Sequence, residues 1–268
     1  MKKVAVSFIV IFALLVVLVP GALAVTNGQP DDGRHPYVGL VVFDTETGPT
    51  WRCSGSLLTP TVVLTAGHCT DGAVAARIWF DEDLTGNPEY PFGGVTSYEG
   101  IPFTNPDFCI GCGNGLPGFA YRDVGIVVLT EPVPTSVVSD YADLPSAGLV
   151  DTLINKTAVD LVGYGVQEQV HGGGPPFWVG LRIRLYAPTE FVSGNFRHSD
   201  EFIRLTANPG GGTGGTCFGD SGGPDLLGGT DTVLAVNSYV TSSNCSGVTY
   251  SSRVDIPEVL QWIEGFLE

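Results

Sequence analysis

Gly219-Asp220-Ser221-Gly222-Gly223-Pro224 is the segment of this 268-residue chain whose composition best suits chemistry. A serine hydroxyl attacks poorly at neutral pH unless a base takes its proton and donors hold the charge that develops on the attacked carbonyl oxygen. The small neighbours let the N–H groups of Gly219 and Ser221 converge on one point, which a bulky side chain would block. The same Gly-Gly-Pro run would also make an ordinary turn, so the rest of the chain must supply the base. Among the four histidines, His68 is the candidate, because Leu64-Thr65-Ala66-Gly67-His68-Cys69 places it at the end of a β-rich run beside a cysteine that can pin the turn. His35, His171 and His198 lie among Gly, Pro, Asp and Asn and read as solvated loop residues. An imidazole that gains a proton needs an acceptor behind it. Asp123 fits, since it heads the apolar run Val124-Gly125-Ile126-Val127-Val128-Leu129, where an unpaired charge would be costly.

The elements that must position these residues read as short strands. Val38–Phe43, Ser56–Thr65, Arg77–Phe80, Val124–Leu129, Ala158–Val162, Leu181–Tyr186, Phe202–Thr206 and Val233–Tyr239 are rich in Val, Leu, Ile and Thr between turn residues. No helical period of comparable length separates them, so an antiparallel sandwich or barrel is expected rather than a βαβ fold. One helix is expected at the C-terminus, started by Pro257, with Val259, Leu260, Ile263 and Leu267 on one face. The stretch between Leu129 and Ala158, with Pro132, Pro134, Pro145 and Gly148, reads as the connection between two halves.

Composition narrows the class. Charged residues make up 15%, with 37 Gly and 19 Pro, which favours strands and tight turns over long helices. A net charge of −16 argues against nucleic acid or an anionic membrane as partner. Residues 1–24 read as a signal peptide: Lys2-Lys3, an apolar run from Val4 to Val19, then Ala22-Leu23-Ala24 as a cleavage site. Export implies an oxidising compartment, so the six cysteines are read as three disulfides, for which fifteen connectivities are open.

With His68, Asp123 and Ser221 in that order, the chain resembles the trypsin/chymotrypsin family of serine endopeptidases, in the segments Leu64–Cys69, Asp123–Leu129, Cys217–Pro224 and Val236–Tyr239. The resemblance implies an all-β fold of two six-stranded antiparallel barrels with the active site in the cleft between them, the first in residues 25–140 and the second in 141–268. It implies that His68 is the general base, that Asp123 orients it and that Ser221 is the nucleophile. Gly219 and Ser221 would form the oxyanion hole, and Ser238 would hydrogen-bond the aspartate. It pairs Cys53 with Cys69 and Cys217 with Cys245. Cys109-Ile110-Gly111-Cys112 matches no common bridge of the family and reads as a small loop-pinning disulfide, with a redox pair or half of a zinc site as the other readings of a C-x-x-C.

The family also pairs a newly cut α-amino group with the aspartate before the serine. Here that implies Val25, exposed by cleavage after Ala24, pairing with Asp220 and making signal removal sufficient for activation. The primary pocket is expected around Gly215, Thr216, Ser238, Tyr239 and Val240. Gly215, where an acid would select Lys or Arg, and the branched Val240 together imply a small or medium aliphatic P1 residue. Asp81-Glu82-Asp83 with Glu89 is read as a solvated acidic turn, with calcium binding as the other reading. The expectation is thus a secreted, extracellular, monomeric endopeptidase acting on proteins or peptides, with no cofactor or metal and no membrane contact after signal cleavage. The alternative is a catalytically silent binding protein on the same fold.

Overall fold

The computed structural model describes residues 25–267 except 26, 113–119, 167, 171–176, 197 and 244. The expected signal peptide and His171 therefore lie outside the described residues. Six strands, Val38–Thr45, Gly48–Thr59, Val62–Thr65, Gly125–Leu129, Ser97–Thr104 and Ala75–Trp79, pair in that order into a closed antiparallel barrel. A second, seven-stranded sheet has the order Gln29–Pro30, Leu185–Glu190, Ala158–Gly163, Pro224–Leu227, Val233–Val240, Gly247–Arg253 and Phe202–Ala207. Just past Leu185–Glu190, the second strand of this order, a single bridge joins Phe191 to Leu205 of the last strand, so this half closes at one point and not by a full ladder. The added strand Gln29–Pro30 belongs to the N-terminal segment, which thus crosses to the second sheet before the first barrel begins. Among the described residues no helix is long and apolar enough to cross a membrane.

Local chemistry explains where the strands depart from expectation. The run Ser56–Thr65 is two strands and not one: Pro60 cannot donate to a ladder, and Thr59 Oγ1 accepts from Thr61 N at 3.4 Å and Val62 N at 3.1 Å, which turns the chain. The run expected at Leu181–Tyr186 starts only at Leu185 and continues to Glu190, because Arg182 sits at φ +59 and breaks the extended path. Strands Ser97–Thr104 and Gly247–Arg253 escaped the sequence reading because one exposes alternate side chains and the other breaks its Val and Tyr with Gly, Thr, Ser and Arg.

The largest apolar cluster fills the first barrel with residues such as Leu40, Leu57, Leu64, Ile78, Trp79 and Ile126, all essentially sealed from water. The C-terminal helix, Pro257–Glu264, buries Val259, Leu260 and Ile263 in this same cluster. Leu267 lies past the helix end, and Phe266 packs on Phe103 at 5.2 Å, so the last residues of the chain clasp the first barrel. A smaller cluster of Val159, Leu161, Ala187, Ile203, Leu205 and Leu234 fills the second half, and Val25 is fully buried in it. Arg184, also buried, ties the halves together: it donates to Asp31 Oδ2 at 2.9 Å and, at 3.1 Å each, to the carbonyls of Val38 and Phe80.

Candidate active site

The antiparallel register places His68 beside Asp123. Thr65, the last residue of its strand, pairs with Gly125, the first of its own. His68 lies three residues beyond the one and Asp123 two before the other, so both emerge at the same end of the barrel. The short helix Gly67–Thr70 turns His68 back toward Asp123. Asp123 Oδ1 accepts the backbone N–H of His68 at 2.7 Å, and Oδ2 lies 2.8 Å from His68 Nδ1. Burial opposes a charge on the His68 ring, but the adjacent Asp123 carboxylate outweighs it and leaves the imidazole pKa above its ordinary value.

Ser238 completes this chain from the second half. The ladder of Val233–Val240 against Gly247–Arg253 slips between Asn237 and Tyr239, leaving Ser238 unpaired at a bulge. Its hydroxyl is thereby freed to donate to Asp123 Oδ2 at 2.5 Å. The fully buried Asp123 carboxylate is thus bonded by the His68 backbone N–H, the His68 ring and the Ser238 hydroxyl, so it is not left as an unpaired buried polar group.

Ser221 is held against the same barrel end. Ser54 N donates to Ser221 O at 2.8 Å, and Ser54 Oγ donates to Gly219 O at 3.1 Å. Gly222, at φ +76, lies so close that a Cβ would meet Ala66 N at 2.6 Å, so only glycine lets the serine turn approach the His68 turn. No hydrogen bond joins Ser221 Oγ to His68 among the described residues; His68 Nε2 lies 3.7 Å from Cys69 Sγ. Such contacts commonly tighten only when substrate is bound.

The donors around the serine are aimed by the backbone. Val166 N donates to Phe218 O at 2.7 Å, and because a trans peptide points its C=O and N–H in opposite directions, Gly219 N turns away from Val166. Gly219 takes φ +96 to make this possible. Neither Gly219 N nor Ser221 N donates to a described residue, so both are available to an oxyanion. Asp220 anchors the loop from below: its carboxylate accepts Gly165 N at 2.8 Å and Cys217 N at 2.9 Å. Burial still pushes its carboxyl up to about 6, against the lowering effect of these two bonds and of Arg52.

A cavity of about 160 Å³ opens beside Ser221, lined by Thr216, Cys217, Phe218, Asn237, Ser238, Tyr239 and Val240. Four of the expected pocket residues line it; Gly215 is buried and is not part of that lining. Phe218 and Asn237 are lining residues that sequence reasoning missed, Asn237 because it sits inside the largely apolar strand Val233–Val240 and resembles an interruption of the core.

All three expected disulfides are present, Cys53–Cys69, Cys109–Cys112 and Cys217–Cys245. Cys53, His68 and Cys69 bring potential metal-ligand atoms together, but both sulfurs are already bonded to each other. The acidic turn is occupied with backbone: Glu82 accepts Asp32 N and Gly33 N, and Glu89 accepts Val95 N. His35 lies in a loop as expected but is not solvated. It is 8% exposed, with Nδ1 2.6 Å from Asp31 Oδ1, drawn inside by the same carboxylate that holds Arg184. His198 is half-buried against Phe202.

Comparison with known proteins places the chain in a family. Residues 25–263 match the Trypsin family model. Serine protease 1 of Drosophila melanogaster is 26% identical over 89% of this chain and 84% of its own length. Chymotrypsin-like elastase family member 3B of Macaca mulatta is 28% identical over 79% of this chain and 80% of its own. Among solved structures, HL collagenase superposes with a TM-score of 0.68 at 18% identity, covering 93% of this chain and 98% of that one. Human heparin binding protein superposes at 0.61 and 18%, covering 90% and 95%. The match over nearly the whole described chain, on a fold of the same kind, establishes that this protein belongs to the trypsin family.

Proposed function

We propose that the chain is a secreted serine endopeptidase that hydrolyses peptide bonds through an acyl-enzyme. The observation that carries this reading is the hydrogen-bonded chain from Ser238 through Asp123 to His68, beside a cavity that Ser221 lines. In this reading Ser221 Oγ attacks the scissile carbonyl while His68 Nε2 takes its proton. Asp123 holds Nδ1–H and stabilises the imidazolium, and Gly219 N and Ser221 N receive the oxyanion, each donor contributing roughly 3 kcal/mol. His68 then protonates the departing amine, and water repeats the cycle to release the acid. A small or medium P1 side chain is supported by the size of the cavity and by Val240 in its wall.

Maturation belongs to the same proposal. Asp220 is a fully buried carboxylate whose hydrogen-bond partners are two backbone N–H groups, and burial outweighs these bonds and the Arg52 charge in disfavouring its ionised form. Removal of residues 1–24 frees an ammonium on Val25, whose side chain is buried in the core of the same half. Pairing that ammonium with Asp220 would lock the loop that carries Gly219 and Ser221.

A catalytically silent binding protein is the second reading, favoured by the structural likeness to heparin binding protein, a protein named for a ligand and not for proteolysis. The test is hydrolysis of casein by the chain starting at Val25. Cleavage that disappears in Ser221→Ala supports the peptidase; no cleavage by either supports the binding reading.

A further inference from the structure

Arg52 is a cation set against the serine turn with no partner of its own among the described residues. It lies in the strand Gly48–Thr59, beside Cys53, and the next residue, Ser54, is the one bonded to Ser221 and Gly219. A Cβ added to Gly219 would lie 3.4 Å from Arg52 Nε, and Nη2 reaches Gly180, so the guanidinium rests on the loop that carries Gly219 and Ser221. Asp220 feels its charge but makes no ion pair with it. Unlike Nε and Nη1 of Arg122, none of its nitrogens is both unpartnered and sealed, so the free guanidinium is open to water. The half-buried side chain lines a cavity of about 260 Å³ with Trp51, Tyr90 and Pro91, and it is the one charged residue of that lining.

The leaving half of a substrate runs toward this cation. His68 Nε2, which hands its proton to the departing amine, lies 3.7 Å from Cys69 Sγ, and Cys69 is bonded to Cys53, the neighbour of Arg52. The primary pocket is built from other segments, residues 216–218 and 237–240 with Ser221, and includes neither Cys53 nor Arg52. A peptide whose P1 side chain fills that pocket therefore carries its leaving half over the disulfide. We infer that Arg52 makes the enzyme prefer Asp or Glu at P1′ or P2′, the first two residues after the scissile bond. The inference rests on the peptidase reading above. Extended residues advance about 3.3 Å each, so the first two are those within reach of a side chain that touches Gly219. The guanidinium offers a carboxylate two parallel N–H groups, a pairing that a neutral amide matches only in part. Trp51, Tyr90 and Pro91 exclude part of the water from an acid held there, which strengthens the attraction. A Lys or Arg in the same place meets a like charge.

The test uses peptide substrates that share a P1 residue taken from the enzyme's own cleavage sites in casein and differ only in carrying Glu, Asp, Gln, Ala or Lys at P1′ or P2′. The mature enzyme is counted by fluorophosphonate titration. At one of the two positions Glu or Asp should exceed Gln in kcat/KM on the order of tenfold, the effect of one hydrogen bond to a charged group, and Lys should fall below Ala. The acid-to-amide ratio should shrink as NaCl rises from about 0.05 M to about 1 M. Arg52→Gln should bring the ratio close to one, and Arg52→Glu should favour Lys over Glu. A wild type with no acid preference at either position overturns the inference, as does a preference that survives in Arg52→Gln or is indifferent to salt. Because the wild-type profile and its salt dependence can each overturn it, misfolding of a variant does not protect the idea. Failure of the wild type to react with the fluorophosphonate would instead count against the peptidase reading.

Discussion

Asp225 offers a prediction that can be worked through from its surroundings. It follows the serine turn, lies in the strand Pro224–Leu227 and faces the interior between Leu161 and Ala235. It is fully buried, and neither carboxylate oxygen has a hydrogen-bond partner. Burial pushes its carboxyl up to about 8, opposed by the nearby Ser251 hydroxyl and reinforced by the charge of Asp220. In the unfolded chain the same group titrates near its ordinary value of 3.8. Between these two values the folded protein binds a proton that the unfolded chain does not, so stability is greatest below the lower value and is lost as pH rises through the window. Each pH unit costs about 1.4 kcal/mol, so from pH 4 to pH 7 the loss attributable to Asp225 is about 4 kcal/mol. Asp225→Asn keeps the shape and removes the titration. Urea unfolding of both proteins at pH 4, 5, 6 and 7 should show curves that nearly meet at pH 4 and diverge upward for the variant to about that extent. Asp220 interacts with Asp225, so the steepest part of the difference reflects the pair. Parallel stability curves for the two proteins would refute the reasoning.

The remaining predictions concern the site itself. Ser238→Ala removes one of the three donors to Asp123 and should lower kcat about tenfold with KM little changed, measured on a single peptide substrate; equal kcat would show that the bond positions nothing. Asp123→Asn should lower kcat by about four orders of magnitude, as expected when the base loses its orienting acceptor. Because Asp123 holds the His68 pKa above its ordinary value, the acid limb of the kcat/KM profile should lie above the limb expected for an unperturbed histidine, with activity lost as pH falls through it. A chain that keeps residues 1–24 should react with a fluorophosphonate at least about a hundredfold more slowly than one starting at Val25, the effect of an ion pair worth roughly 3 kcal/mol. Equal rates would sever activation from the N-terminus.

The fold class was legible in the sequence, though not every strand was. His68, Asp123 and Ser221 stood out as candidates because each sits at a chemically unusual junction, where a β-rich run ends or begins in small or polar residues. The strands that lacked an apolar signature did not. Gly247–Arg253 is held by its neighbours and not by its own hydrophobicity, and Ser97–Thr104 has only Gly100 fully buried. His35 shows the converse error: a polar context suggested solvent, yet Asp31 and Arg184, distant in sequence, built it a buried polar niche. Asn237 was invisible for the same reason, since its meaning depends on a pocket that only the bulge beside it and the loop around Thr216 create.

The central claim is that Ser221 is an activated nucleophile. Incubating the chain that begins at Val25 with a fluorophosphonate, followed by peptide mapping, tests it most directly. The account predicts one modification per molecule, on Ser221, that slows as pH falls through the titration of His68 and is abolished in His68→Ala. No modification of the correctly folded chain, or modification elsewhere, would contradict it.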